Sequence, residues 1–470
     1  NNQEYISDVE YDLFINKSLP ERKIIKNKGI APYFTEHIRR ELEKIDEELE
    51  VNLYKDGLMI NTTLDSRVQH ILNKYFNEGL EKNQRIFDKE LISDDIKLDY
   101  IANKNSIDID SLMKIVNQDT IIPPKLRNQL LVQGAAVVID PSSGSILGMI
   151  GGRQEDVYVD HFNRSSQAKR QPGSVFKPLI YLTALEKGNR TTTQLLNQPL
   201  AIFIDDTTHW NPQNHDGSTG LLTTLREGLK KSLNLISVRI VQELIRPFDV
   251  VKNAKLFGLT TKIKSVDAIA LGVSEVIPLE ITSAYSAIAN NGIITKPNSI
   301  VNIKDRHGRI IKNFMPKSKE IKDENLIYIL RDMMKSVIDS GTGGSIRWKY
   351  KFYAPMAGKT GTTNSKADAW FVGFTPQLAI GIWIGMDDPA VSLGKKQFGS
   401  SAALPIFARS IKDIYSLEYY YKDNEKVILT EDLDWKRPDD IVYVSVCNET
   451  HKKATDICSQ KNEIFLKTNQ

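Results

Sequence analysis

AGKTGTTNSKADAWFVGFTPQLAIGIWIGMDDP, residues 357–389, decides how the rest of the chain is read. Three strand-like runs lie in it or at its edge, at 356–362, 369–374 and 378–385. In the last, Leu378, Ile380, Ile382 and Ile384 share one face, because successive strand side chains point to opposite sides. The other face carries the small Ala379, Gly381 and Gly385, which lets a helix pack close against it. Far upstream, AAVVID (135–140), Pro141-Ser142-Ser143-Gly144 and SILGMIGG (145–152) read as two strands joined by a tight turn. Helical spacing dominates from about residue 174 to 290. Two strands early, helices between and three strands late predict one antiparallel sheet assembled from distant segments and covered by helices, an α+β architecture.

The remainder of the chain is consistent with that core. Its 470 residues are 41% hydrophobic and 26% charged, which excludes disordered, collagen-like and coiled-coil chains. A net charge of +3 is too small for a nucleic-acid footprint, so no nucleic-acid partner is expected. No apolar run reaches the roughly 18 residues that cross a bilayer. The chain opens at Asn1-Asn2 without a methionine and reads as a fragment of something longer. Residues 37–49 have helical apolar spacing with many charges; residues 58–63 are strand-like, and Asp65 is placed to cap a helix through Val68, Ile71, Leu72 and Phe76. Residues 82–130 read as a charged connector broken by Pro123-Pro124. Cys447 and Cys458 either form a bridge, as suits an oxidising compartment, or are two inert thiols.

Three short motifs carry chemistry. In Gly173-Ser174-Val175-Phe176-Lys177-Pro178, Ser174 opens a buried helix that ends at Lys187-Gly188, and Lys177 lies one turn along on the same face. Pro178 has no N–H, which leaves the Ser174 carbonyl without its helical partner. A hydroxyl beside an amine is an activated nucleophile if burial and nearby positive charge keep the amine neutral. Ser232-Leu233-Asn234 presents a hydroxyl and an amide at a helix-to-loop transition. Lys359-Thr360-Gly361-Thr362-Thr363 enters a strand; Gly361 permits close backbone approach, and Lys359, Thr360 and Thr362 together suit a carboxylate. Each alone has a bland counterpart: an N-cap serine, a helix cap, a solvated edge strand. A phosphate loop is excluded, since Tyr353 stands where its first glycine belongs and a strand follows. None of the seven histidines falls in the motifs, and His209 and His215 read as loop residues.

The order S-x-x-K, S-x-N, K-T-G is that of penicillin-binding proteins and class A β-lactamases, with Leu233 where the middle motif usually has Asp. Segments 167–188, 231–244, 271–292 and 357–389 resemble the transpeptidase domain of class A penicillin-binding proteins. APYFTEHIRRELE (31–43) and GLMINTTLD (57–65) resemble the linker before it. The resemblance implies a penicillin-binding-protein/β-lactamase-like transpeptidase fold: a five-stranded antiparallel sheet flanked by helices plus a helical lobe. It implies residues 1–55 as linker after a missing glycosyltransferase domain, 56–133 as a connector subdomain, 134–415 as the transpeptidase domain and 416–470 as a C-terminal tail. Catalytic residues are then Ser174, Lys177, Ser232, Asn234 and Lys359, and substrate-binding residues Thr360, Gly361, Thr362 and Thr363, with no cofactor.

In that reading Ser174 attacks the bond between two D-alanines of a peptidoglycan stem peptide, Lys177 takes its proton, and Ser232 relays one to the leaving amine. Asn234 holds Lys177 and the substrate backbone. The N–H groups of Ser174 and Thr362 form an oxyanion hole. β-Lactams block Ser174. Implied partners are stem-peptide donor and acceptor, β-lactams, cell-wall synthesis proteins and the membrane through a missing N-terminal anchor, on its extracytoplasmic side. A serine β-lactamase is the alternative on the same fold. Its deacylating Glu in E-x-x-L-N is absent: the L-N pairs at 72–73, 196–197 and 233–234 follow Gln69, Thr193 and Lys230. A non-catalytic wall-binding scaffold or sensor is the other alternative, and it has no use for Lys177 or Lys359. Residues 340–344 resemble a flexible loop at the cleft edge. Glu275 and Tyr285 are expected to pack and hydrogen-bond in the helical lobe, and Trp370 and Trp383 in the core.

Overall fold

The computed structural model describes residues 29–45, 49, 51–117, 122–153, 162–203, 209–215, 217–422 and 425–469. Its first helix, α1 (Pro32–Leu42), starts and stops earlier than the expected 37–49, because Pro32 suits a first helical position; residues 46–48 lie outside the described set. The strand β1 (Met59–Thr62) and the helix α2 (Ser66–Leu91) follow. The Asp65 carboxylate accepts from the backbone N–H of Arg67 and Val68, filling donors that a helix start leaves open. The stretch read as a connector is mostly helix. α2 continues to Leu91, and helices Asp95–Asn105 and Ile109–Asn117 come next.

The central sheet has the expected composition. β2 (Val132–Ile139) and β3 (Ile146–Ile150) come first. The helices α3 (Lys177–Glu186), α4 (Leu225–Lys230), α5 (Asn234–Arg239) and α6 (Pro278–Ala289) lie between. After them come β4 (Ile300–Lys304), β5 (Ile310–Asn313) and the long α7 (Glu324–Asp339). Last are β6 (Ala357–Thr362), β7 (Asp368–Phe374), β8 (Ala379–Met386) and α8 (Leu404–Tyr415). The order is β6-β7-β8-β2-β3, antiparallel throughout, so β6 is an edge.

Both faces are covered, and strand alternation sorts the residues. Ala135, Trp370, Val372, Phe374, Ala379 and Trp383 join the core built with α3, α6 and α7. Ala136, Val138, Ala369, Phe371, Ile380, Ile382 and Ile384 join the one built with α2 and α8. The small face of β8 does accept a helix closely: a side chain at Gly381 would put its Cβ 2.0 Å from Thr282 Oγ1 of α6. Fully burying one large apolar side chain contributes about 1.5–3 kcal/mol, and such side chains line both faces.

Two features went unread in the sequence. β1 pairs with β4, and β4 with β5, in a separate three-stranded sheet. The C-terminal stretch carries a hairpin, formed by β9 (Ile441–Cys447) and β10 (Gln460–Leu466). Ile441 and Ile464 enter the core beside α7, and Trp435 Nε1 donates to the Ala289 carbonyl at 2.8 Å. Cys447 and Cys458 are both free, so the bridge is replaced by its alternative, two thiols. No helix among the described residues is long and apolar enough to cross a membrane.

Candidate active site

One turn of 3₁₀ helix, Gly173–Phe176, leads into α3 and packs against the open edge of β6. The turn corrects one expectation: the Lys177 N–H donates to the Ser174 carbonyl, which is therefore not free. Pro178 removes only the donor four residues on; the 3₁₀ geometry uses the one three residues on. Gly173 has φ +53°, and a Cβ there would sit 2.5 Å from the Thr362 carbonyl oxygen. Gly361 answers from the other side, its virtual Cβ 2.6 Å from the Pro172 oxygen. Only glycines let these two backbones meet. Tyr285, buried in α6, donates its hydroxyl to the Val175 carbonyl at 2.7 Å and holds the turn from behind.

Lys177 is fully buried rather than solvated. Its Nζ donates to the Ser232 carbonyl (2.7 Å), to Asn234 Oδ1 (2.9 Å) and, more distantly, to Ser232 Oγ (3.4 Å). Asn234 Nδ2 donates in turn to the Gln213 carbonyl at 2.8 Å, which fixes the amide's orientation. Ser232 bridges α4 and α5 with φ +59°, a left-handed conformation costing a non-glycine residue roughly 1–2 kcal/mol. Its N–H donates to the Leu229 carbonyl, and that of Leu233 to Gly228. Burial drives the Lys177 pKa well below its ordinary value, and the nearby charge of Lys359 lowers it further. Lys359 is also fully buried, and burial lowers it to about 7. Its Nζ donates to the Thr360 carbonyl at 3.1 Å. The three sequence motifs thus meet, with both amines on the inside.

The edge of β6 is open where it matters. Thr363 N–H donates to the Asp368 carbonyl, and Lys359 and Gly361 pair opposite Val372 and Trp370. Hydrogen-bonded pairs alternate along an antiparallel ladder, so Thr360 and Thr362 turn their backbone groups away from β7, towards the Ser174 turn. Thr360 Oγ1 lies 2.8 Å from Thr342 Oγ1, and Thr362 Oγ1 accepts from the Gly399 N–H at 3.0 Å. The 340–344 loop therefore does border the site. Thr363 is a correction: past the end of β6, its hydroxyl closes the β6–β7 turn on Asp368 and does not join the cleft.

Other placements differ or were missed. Glu275 is exposed, and its backbone carbonyl accepts from Thr261 Oγ1 at 2.6 Å. His215 stacks edge-on to Phe398 with ring centroids 4.8 Å apart. Trp370 and Trp383 are core, as expected. Behind β6, Asp368 Oδ1 accepts from Arg170 Nε (2.7 Å) and Trp383 Nε1 (2.9 Å). Arg170 also donates to the Met386 and Asp387 carbonyls, fastening the segment before Ser174 to the sheet. A groove of about 900 Å³ lined by His37, Leu279, Ile300, Phe314 and Lys319 lies elsewhere and includes none of the motif residues.

The fold and these three motifs define a class, and comparison with known proteins agrees. Residues 134–412 match the penicillin binding protein transpeptidase domain, and the chain belongs to that family. It is 30% identical to penicillin-binding protein 1A of Rickettsia typhi, an alignment covering 95% of this chain and 66% of that protein. The crystal structure of penicillin-binding protein 1A from Haemophilus influenzae superposes with a TM-score of 0.74 at 22% identity, over 98% of this chain and 80% of that one. PonA1 of Mycobacterium tuberculosis, solved in complex with penicillin V, gives 0.61 at 20% identity, over 81% and 93%. These likenesses show the expected fold. The chain spans 61–66% of the length of three curated penicillin-binding protein 1A relatives from Rickettsia.

Proposed function

We propose that this chain is a serine D,D-transpeptidase that cross-links peptidoglycan stem peptides through an acyl-enzyme on Ser174. The observation that carries the reading is the state of Lys177. Two N–H groups are engaged by the Ser232 carbonyl and Asn234, and burial beside Lys359 favours the neutral amine. A neutral amine has only two hydrogens; with both on these acceptors, the 3.4 Å contact to Ser232 Oγ is no donation and one lone pair is left, one turn from the Ser174 hydroxyl. No hydrogen bond joins Ser174 Oγ to Lys177 Nζ in the free site; such contacts often tighten only with substrate bound.

Lys177 takes the Ser174 proton as Oγ adds to the carbonyl between the two D-alanines. The oxyanion is met by the N–H groups of Ser174 and Thr362, the latter on the open edge of β6; losing one such donor costs about 2.7–4 kcal/mol elsewhere. The C–N bond breaks, Ser232 passes a proton to the departing amine, and the terminal D-alanine leaves. Lys359 with the Thr360 and Thr362 hydroxyls holds its carboxylate. An amine from a second stem then takes the acyl group and frees Ser174; attack by water instead is the carboxypeptidase outcome. β-Lactams enter as acyl donors; the PonA1 relative is one that has been solved in complex with penicillin V. The rest of the reading goes with this: an extracytoplasmic location at the cell membrane, a preceding anchor and glycosyltransferase domain, and a transpeptidase domain at 134–415.

Mass spectrometry after incubation with penicillin tests it. The adduct is expected on Ser174, to persist for many minutes, and to be lost in Ser174→Ala. Rapid multiple turnover of a chromogenic cephalosporin would identify a β-lactamase instead. Labelling unchanged by Ser174→Ala would leave the scaffold reading.

A further inference from the structure

We infer that the C-terminal hairpin β9–β10 positions the active site, with Glu463 setting the placement of Ser232 and Asn234 through Arg226; the inference rests on the function proposed above. Glu463 lies on β10, its side chain 2% exposed, and both carboxylate oxygens accept from Arg226 Nε at 2.9 Å, with Arg226 Nη2 on Oε1 as well. Arg226 stands in the first turn of α4. Its Nη2 also donates to Asp332 Oδ2 of α7 at 2.6 Å, and Nη1 to the Asp332 carbonyl at 3.3 Å. The guanidinium is thus gripped from two sides, by α7 and by the hairpin.

The other end of α4 is where the chemistry sits. The Leu229 and Gly228 carbonyls hold the Ser232–Leu233 turn, and the Lys230 carbonyl accepts from Thr342 N–H at 3.3 Å. Ser232 keeps its left-handed φ only while that turn is held, and its carbonyl is the nearest partner of Lys177. A six-residue helix pinned at its first turn by a buried, bidentate pair transmits any rotation directly to Ser232. A buried ion pair is a poor stabilising device, because desolvation offsets its attraction, but it is a good register device. Glu463 is therefore a positioning residue.

The test is single-turnover acylation by a fluorescent penicillin, in the whole chain, across a range of penicillin concentrations. It yields a limiting rate, a half-saturation concentration and an amplitude that counts folded sites. Glu463→Gln keeps the shape and removes the charge; its limiting rate is expected to fall about tenfold, with half-saturation within about twofold and full amplitude. Binding is spared because the carboxylate-holding residues lie on β6, while the relay lies between α4 and α5. Glu463→Asp, a milder change in case the first fails to fold, is expected to lose rate to a smaller extent. Asp434→Asn removes a contact that the segment just before the hairpin makes to Lys335 of α7, without touching α4, and is expected to keep the wild-type limiting rate. Glu463 variants acylating at the wild-type limiting rate, or losing no more than Asp434→Asn, would overturn this inference alone. A wild-type chain that penicillin never acylates overturns it together with the proposed function.

Discussion

Gly173→Ala examines whether the Ser174 turn must touch β6. The added Cβ would lie 2.5 Å from the Thr362 carbonyl oxygen and 3.0 Å from its carbon, where ordinary contact begins at 3.4 Å. Neither atom belongs to a flexible side chain, so turn and strand must part by about 0.9 Å. A displacement near 1 Å at reacting groups costs about 10²-fold in rate, roughly 2.7 kcal/mol of barrier. To that is added roughly 1 kcal/mol of stability lost by placing a non-glycine residue at φ +53°. The two effects can be separated. Gly188 has φ +83° with nothing within 4 Å of its virtual Cβ, so Gly188→Ala bears the backbone cost alone. Single-turnover acylation with parallel thermal melts should show both variants less stable, and only Gly173→Ala slower by about two orders of magnitude. Equal acylation rates for Gly173→Ala and wild type would refute the close-approach account of the oxyanion site.

Further expectations concern charge. Lys359 holds its proton only to about 7 in the folded state against 10.5 ordinarily, so the unfolded chain binds more protons between those values and stability should rise with pH across that window; Lys359→Met should flatten the rise seen in denaturant midpoints. The Lys359 charge also lowers Lys177, so Lys359→Met should move the acid limb of the acylation-rate profile to higher pH, and a limb that stays in place or moves down would contradict the pairing. Asp368→Asn leaves the Arg170 guanidinium buried without its carboxylate. Removing one partner of such a pair costs about 3–5 kcal/mol, and the Met386 and Asp387 carbonyls retained by Arg170 favour the lower end; a loss under about 1 kcal/mol in chemical denaturation would refute it.

The central sheet was legible because its signal is periodic: Ile380, Ile382 and Ile384 alternate with Ala379 and Gly381, and the structure sorts them to opposite cores. The meeting of Lys177 with Ser232 and Asn234 beside Lys359 was legible because the order of motifs constrains a fold more than any one motif does. Contacts between polar residues far apart carry no period. Nothing near Glu463 marks it as the partner of Arg226, and nothing in residues 59–62 names β4 as their neighbour. The Ser174 carbonyl finds a donor that α-geometry does not offer, because one tighter turn intervenes there. Thr363 was misplaced because the motif was read as a unit, although the strand ends one residue before it. The 340–344 loop was legible only through the family resemblance, and nothing in it names Thr360 as the hydroxyl partner of Thr342.

The β2–β8 seam has a consequence for how the molecule is made. Residues 132–139 emerge early in synthesis, yet their ladder partners are residues 379–386. Until those arrive, β2 and β3 are an apolar hairpin with one unpaired border, the kind of surface that sticks to other chains. Pairing across so much intervening polypeptide is slow, since the loop must close before any contact rewards it. Refolding from denaturant should therefore be sluggish and concentration-sensitive, and any version of this chain ending before Met386 should aggregate rather than fold.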